Sequence, residues 1–136
     1  MELVVDANIL FSALIKSGIT RELMVNDELL LYTPEYLINE FFEHIEELQK
    51  KTHADTFKLQ NEGQKLIYLS HLKIIPIREI NPYVKTAKTI SSDPEDILYF
   101  ATALKMNCAL WSNDKELKNQ NQVKIYSTSD LVKILK

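Results

Sequence analysis

The chain has 136 residues, 46% of them apolar and 26% charged, with a formal net charge of −3, a composition ordinary for a soluble globular protein. Only two glycines are present, and neither GxGxxG nor GxxxxGK[ST] occurs, so a glycine-rich phosphate loop is excluded. The single Cys108 rules out an internal disulfide and a cysteine-rich zinc site, and it fits a reducing, cytoplasmic setting.

At this length one domain over residues 1–136 is expected, able to bury roughly two thirds of its unfolded surface. The N-terminal apolar run lacks a basic region before it and is interrupted by Asp6, so no signal peptide is expected. No apolar run reaches membrane-spanning length. Four acids taken up as metal ligands would leave the remainder near neutral. The mild negative total therefore neither excludes nor supports a polyanionic substrate.

The run 3-LVV-5 reads as a buried strand, and Asp6 follows at its junction with a helix carrying Ile9, Leu10, Ala13 and Leu14. Asp6 has two readings: a helix N-cap, or a carboxylate at the C-terminal edge of a central parallel strand, where α/β sheets place their sites. Gly18 is expected to end this helix and Thr20 to cap a short one with Leu23, Met24 and Val25. A second strand, 29-LLLYT-33, leads at Thr33-Pro34 into a helix reaching about Lys50. Leu37, Phe41, Ile45 and Leu48 form its apolar stripe, with Ile38 and Phe42 beside it. Glu40 borders that stripe, and Glu43 and Glu47 continue its side, so Glu40 belongs either to a solvated acidic face or to a site. His44, one turn on, reads as exposed or capping; His53 and His71 have no metal-ligand spacing.

Residues 52–71 are expected to form another helix, weakened by Gly63, either a clamp over the site or a plain surface element. Then 73-KIIPI-77 is a strand whose Pro76 marks its end or an edge. A short helix is expected from Asn81 or Pro82, with Val84, Ala87 and Ile90.

The stretch 92–114 is the most informative. Asp93 suits an N-cap, Pro94 the first helical position, Glu95 and Asp96 the first turn, and Asn107 a left-handed C-cap. The run 109-ALW-111 is a buried strand that leaves through Ser112-Asn113-Asp114. Helix and strand run antiparallel, so Asp96 and Asp114 meet at one sheet edge, where two carboxylates repel unless a cation lies between them. One helical turn from Lys115, a strand over 123–126 and a helix capped by Ser127 or Thr128 complete the chain. Alternating strands and helices predict a three-layer α/β/α fold around a mainly parallel sheet of about five strands.

Asp6, Asp96 and Asp114 thus share one edge, with Glu40 on the helix after the second strand. Hard oxygen donors in this number suit Mg²⁺ or Mn²⁺ rather than zinc, and such ions bind substrate phosphates.

In these blocks the chain resembles a PIN domain, the fold of metal-dependent ribonucleases that include the toxin nucleases of toxin–antitoxin pairs. The resemblance spans nearly the whole chain: 3-LVVDANIL-10, 33-TPEYLINE-40, 93-DPEDILYFATAL-104 and 110-LWSND-114 stand in order at compatible spacings. It departs at Asn107-Cys108, where the family often has glycine, a difference in a turn. The resemblance implies that Asp6, Glu40, Asp96 and Asp114 bind the metal, that Asp93 is either an extra ligand or only a cap, and that Asn8, Ser112 and Asn113 orient ligands or water. It implies a single-stranded RNA or structured-loop substrate, cut by metal-activated water with no covalent nucleophile. Lys16, Arg21, Lys115 and Lys118 are nearby candidates for RNA contact, and the helices over 34–71 for a dimer or antitoxin surface. Two other readings stay open. One is an RNA- or protein-binding module of little turnover. The other is a phosphatase-like doubly wound domain, although Asn8 stands where such phosphatases of the haloacid-dehalogenase type want a second aspartate.

Overall fold

The computed structural model describes residues 1–15, 18–52 and 56–135. Lys16 and His53 lie outside the described residues, as do the side chains of Leu48 and Phe57. Among the described residues the order is β1 (Glu2–Val5), α1 (Ala7–Ile15), α2 (Ile19–Met24), β2 (Leu30–Pro34), α3 (Glu35–Thr52), α4 (Thr56–Leu69), β3 (Lys73–Ile75) and α5 (Ile77–Ala87). There follow α6 (Pro94–Met106), β4 (Ala109–Trp111), a 3-10 turn (Lys115–Asn119), β5 (Ile125–Tyr126) and α7 (Thr128–Leu135).

The five strands form one sheet in the order β3-β2-β1-β4-β5, every pairing parallel. Because alternate strand residues face opposite sides, β1 sends Leu3 and Val5 into one apolar layer and Val4 into the other. The first layer joins them to Leu10, Met24, Phe41, Leu66 and Leu131 from α1, α2, α3, α4 and α7. The second joins Val4 to Ile80, Phe100 and Ala101 from α5 and α6. This is the expected α/β/α arrangement. The strand order reverses between β1 and β4, the switch point at which such sheets open a crevice beyond the strand C-termini.

Several local expectations are met. Asp93 caps α6 through its side chain, Pro94 occupies the first turn, and Asn107 closes the helix at φ 51°. Ser127 and Asp130 form a reciprocal capping box on α7: the Asp130 N–H donates to Ser127 Oγ at 3.1 Å and the Ser127 N–H to Asp130 Oδ2 at 2.9 Å. Pro76 directly follows β3, an edge strand.

Others need correction. Gly18, at φ 128°, is the N-cap of α2, with Thr20 inside that helix instead of capping it; whether Gly18 also closes α1 falls on residues 16–17, outside the described residues. Pro34 ends β2 instead of opening the helix, and the next strand stops at Ile75. The α5 helix starts at Ile77 and contains Pro82. The extra turn buries Ile80 fully, while Pro82 and Arg78 face solvent, where water can take the carbonyl that proline leaves without a donor. Gly63 is more than a weak point of α4: a Cβ there would stand 3.1 Å from the Phe41 ring, so its absence lets α3 and α4 approach.

Candidate functional site

Asp6 follows the last residue of β1 and continues the ladder by donating its N–H to the Trp111 carbonyl at 3.4 Å. Its Oδ1 accepts from the Ile9 N–H at 3.0 Å, so the capping reading is correct. Asp6 is only 4% exposed, and burial raises its pKa despite hydrogen bonds from the Ser112 hydroxyl and the Ile9 and Asn8 backbone. The charge of Asp114 pushes it in the same direction.

Ser112, itself buried, leaves β4 beside this carboxylate. Its hydroxyl donates to Asp6 and accepts the Asp114 N–H at 3.1 Å, so one side chain ties the ends of the two central strands together. Asp114 in turn caps the 3-10 turn, its Oδ1 accepting from the Glu116 N–H at 3.0 Å.

Asp96 completes the group from the first turn of α6. It is half-buried, and no hydrogen bond within the described residues reaches its carboxylate. Burial first, then the charges of Asp93, Asp114, Asp6 and Glu95, push its pKa up to about 6. Asp93 is exposed, and its Oδ1 accepts the Glu95 N–H at 2.9 Å and the Asp96 N–H at 3.5 Å. A crevice of about 360 Å³ opens here, lined by Asp93, Asp96, Phe100, Glu116 and Gln120 among others.

Glu40 stands to one side. The Tyr36 hydroxyl donates to its Oε1 at 2.9 Å, and its charge lies beside Glu95, an acid that sequence reading placed only as a first-turn residue of α6. Burial, Glu40 and Asp93 all raise the Glu95 pKa, with His44 opposing them. His44 is exposed and stacks on Phe11 at 5.7 Å between ring centroids. Tyr99 lies between the two acid groups: its hydroxyl accepts the Ala7 N–H at 2.8 Å, and burial, with Asp6, Glu95 and Glu40 nearby, pushes its pKa far up. Tyr99 lies three residues after Asp96 and four after Glu95, hence on the same helix face, which is the signal that could have found it.

Three other candidates are placed differently from expectation. The Asn8 side chain is exposed, and it is the backbone of this residue that serves Asp6. Asn113 Oδ1 accepts the Thr128 N–H at 2.8 Å, tying the β4 loop to the start of α7. Arg21 donates to the Ala13 and Leu14 carbonyls at 2.9 and 3.2 Å, satisfying the end of α1. Lys118 pairs with Asp130 at 2.9 Å, while Lys115 is exposed next to Asp114.

Among the described residues, no three acids, histidines or cysteines stand as a ready-made metal cage. The donor set still fits a hard divalent ion. It is all oxygen, it centres on a half-buried carboxylate with no donor, and Mg²⁺ is commonly held by only one or two carboxylates with water and phosphate.

The family profile of the PIN domain matches residues 4–131, nearly the whole chain. The chain belongs to the PIN domain family. Solved structures with the same fold include two of low sequence identity. VapBC2 from Rickettsia felis, bound to a DNA fragment from its promoter, is 17% identical with a TM-score of 0.71, over 93% of this chain and 98% of that one. PAE2754 from Pyrobaculum aerophilum is 18% identical with a TM-score of 0.72, over 99% of this chain and 89% of that one. No curated protein matches the sequence significantly. PIN domains are generally nucleases, and in this PIN domain the acids lie at the sheet's switch point. No described helix is long and apolar enough to cross a membrane.

Proposed function

We propose that this PIN domain is a Mg²⁺- or Mn²⁺-dependent endoribonuclease in which Asp6, Asp96 and Asp114 hold the metal. The observation that carries the reading is Asp96, half-buried among acids and without a hydrogen-bond donor. Such a group calls for a cation. When bound, the ion supplies an activated water and charge stabilisation at the phosphodiester. The residues supply the rest: Ser112 fixes the Asp6 carboxylate, Asp93 fixes the first turn that presents Asp96, and Tyr99 holds the Ala7 amide beside them. Glu40 and Glu95 form an adjoining carboxylate pair that would meet a second ion or the water shell of the first.

The substrate is RNA, single-stranded or a structured loop. The likeness to VapBC2 supports an antitoxin protein as partner, and with it a toxin role. Exposed Tyr36, Tyr68 and Leu69 on α3 and α4 give a partner or a second copy apolar surface. The partly buried free thiol of Cys108 fits a reducing cytoplasm. The test is cleavage of single-stranded RNA in Mn²⁺ by wild type and by folded Asp96→Asn: cleavage by the wild type alone supports the reading, and equal cleavage by both overturns it.

The binding-module reading is favoured by one observation, that among the described residues no three acids, histidines or cysteines stand together as a ready-made cage. RNA bound but left uncut by the wild type in Mn²⁺ would establish it.

A further inference from the structure

A second concavity, of about 820 Å³, lies at the open edge of the sheet, beside β5 and α7. Its lining carries Lys118, Lys124 and Lys133 against the single acid Asp130, in a chain whose net charge is −3. Two of these ammonium groups are held in place. Lys118 is paired with Asp130 at 2.9 Å, and Lys124 sits 5.5 Å from the centroid of the Tyr126 ring.

The wall between this groove and the acidic crevice is built on one side chain. Gln120 Nε2 donates to the Leu117 and Val123 carbonyls at 2.9 and 2.7 Å, and its Oε1 accepts the Gln122 and Val123 N–H groups, each at 2.9 Å. Gln120 lines both cavities, so the lysine groove and the crevice holding Asp93 and Asp96 adjoin across it. The loop is thus shaped in advance by a fully satisfied amide, which lowers the ordering cost of binding.

We infer that the β5–α7 groove is a second binding site for the RNA strand, where lysines take the phosphates that flank the bond presented to the acids. This rests on the ribonuclease reading and extends it. The acidic crevice alone repels a polyanion, whereas a lysine-lined groove adjoining it attracts one and sets the direction in which the strand lies. An acidic peptide would suit the same charges, but a peptide site gains nothing from continuity with the acids, and a strand with a phosphate at the acids does.

The test is fluorescence anisotropy of a labelled twelve-nucleotide single-stranded RNA in EDTA, so that binding is read without cleavage. Lys124→Glu/Lys133→Glu, checked for unchanged melting temperature, should raise Kd at least tenfold. Lys124→Ala/Lys133→Ala should flatten the salt dependence, by about 0.7 in the slope of log K against log salt for each phosphate no longer neutralised. Lys124→Arg should bind as wild type. Equal binding by the charge-reversed and wild-type proteins, or no wild-type binding, overturns the groove. So does an acidic peptide whose binding depends on these lysines while RNA binding does not. Lysine-dependent binding without cleavage in Mn²⁺ would sink the nuclease reading and leave the groove standing.

Discussion

The Ser112 hydroxyl donates to the Asp6 carboxylate while accepting the Asp114 amide at 3.1 Å, so the ends of β1 and β4 are fastened at the point where the strand order reverses. A hydroxyl has one proton, and here it is committed to a buried acid. Ser112→Ala should therefore cost about 1–2 kcal/mol of stability. It should also weaken metal binding by roughly 10–100-fold, the usual effect of removing a group that orients a ligand. Thermal melts with and without Mn²⁺ measure both; a variant with unchanged metal affinity would confine Ser112 to the fold.

Asp96 gives a prediction with a defined sign. Its pKa is raised from 3.8 to about 6, so the folded protein favours the protonated acid. The associated stability is fully present below pH 3.8 and is lost as the pH rises through about 6. A shift of this size corresponds to at most ~3 kcal/mol, and solvent screening of a part-exposed group leaves about 1 kcal/mol. In EDTA at pH 8, Asp96→Asn should melt roughly 3–5 °C above wild type, with the gap closing below pH 4. Saturating Mn²⁺ should stabilise the wild type and not the variant. A variant less stable than wild type at pH 8 would return Asp96 to a purely structural role.

Asp93 separates capping from ligation. Asp93→Ser keeps a good cap and should change stability by only a few tenths of a kcal/mol, whereas Asp93→Ala should cost about 1 kcal/mol. If Asp93 acts only as a cap, Asp93→Ser keeps wild-type metal affinity; a tenfold loss with an intact melt would make it a ligand.

The Glu40 carboxylate lies close enough to Glu95 to raise its pKa, so the two acids are expected to act as one unit. Glu40→Gln and Glu95→Gln should each shift metal affinity, and the double variant should fall short of the sum. Additive effects would show that the two acids work separately.

Much of this was legible in the chain itself. Asp6 and Asp114 stand out as candidates by following strand ends, Asp96 by its place in the first turn of a helix, and the caps of α6 and α7 by local hydrogen-bonding chemistry that depends on few neighbours. What escaped depends on distant partners. Pro82 inside α5 is tolerated because its side faces water, and Gly63 matters because of Phe41 on another helix. Asn113 looked like part of the site from its place beside Asp114, but its amide reaches Thr128, fifteen residues on. Glu95 was read as helix-terminal charge because nothing local shows that Glu40 packs against it.

The most direct test of the central claim is cleavage of a pooled single-stranded RNA by purified protein, in Mn²⁺ and in EDTA, beside Asp96→Asn of matched or higher melting temperature. The account predicts cutting by the wild type in Mn²⁺ alone, none in EDTA and none by the variant. Cleavage that persists in EDTA, or that folded Asp96→Asn performs at the wild-type rate, would contradict it.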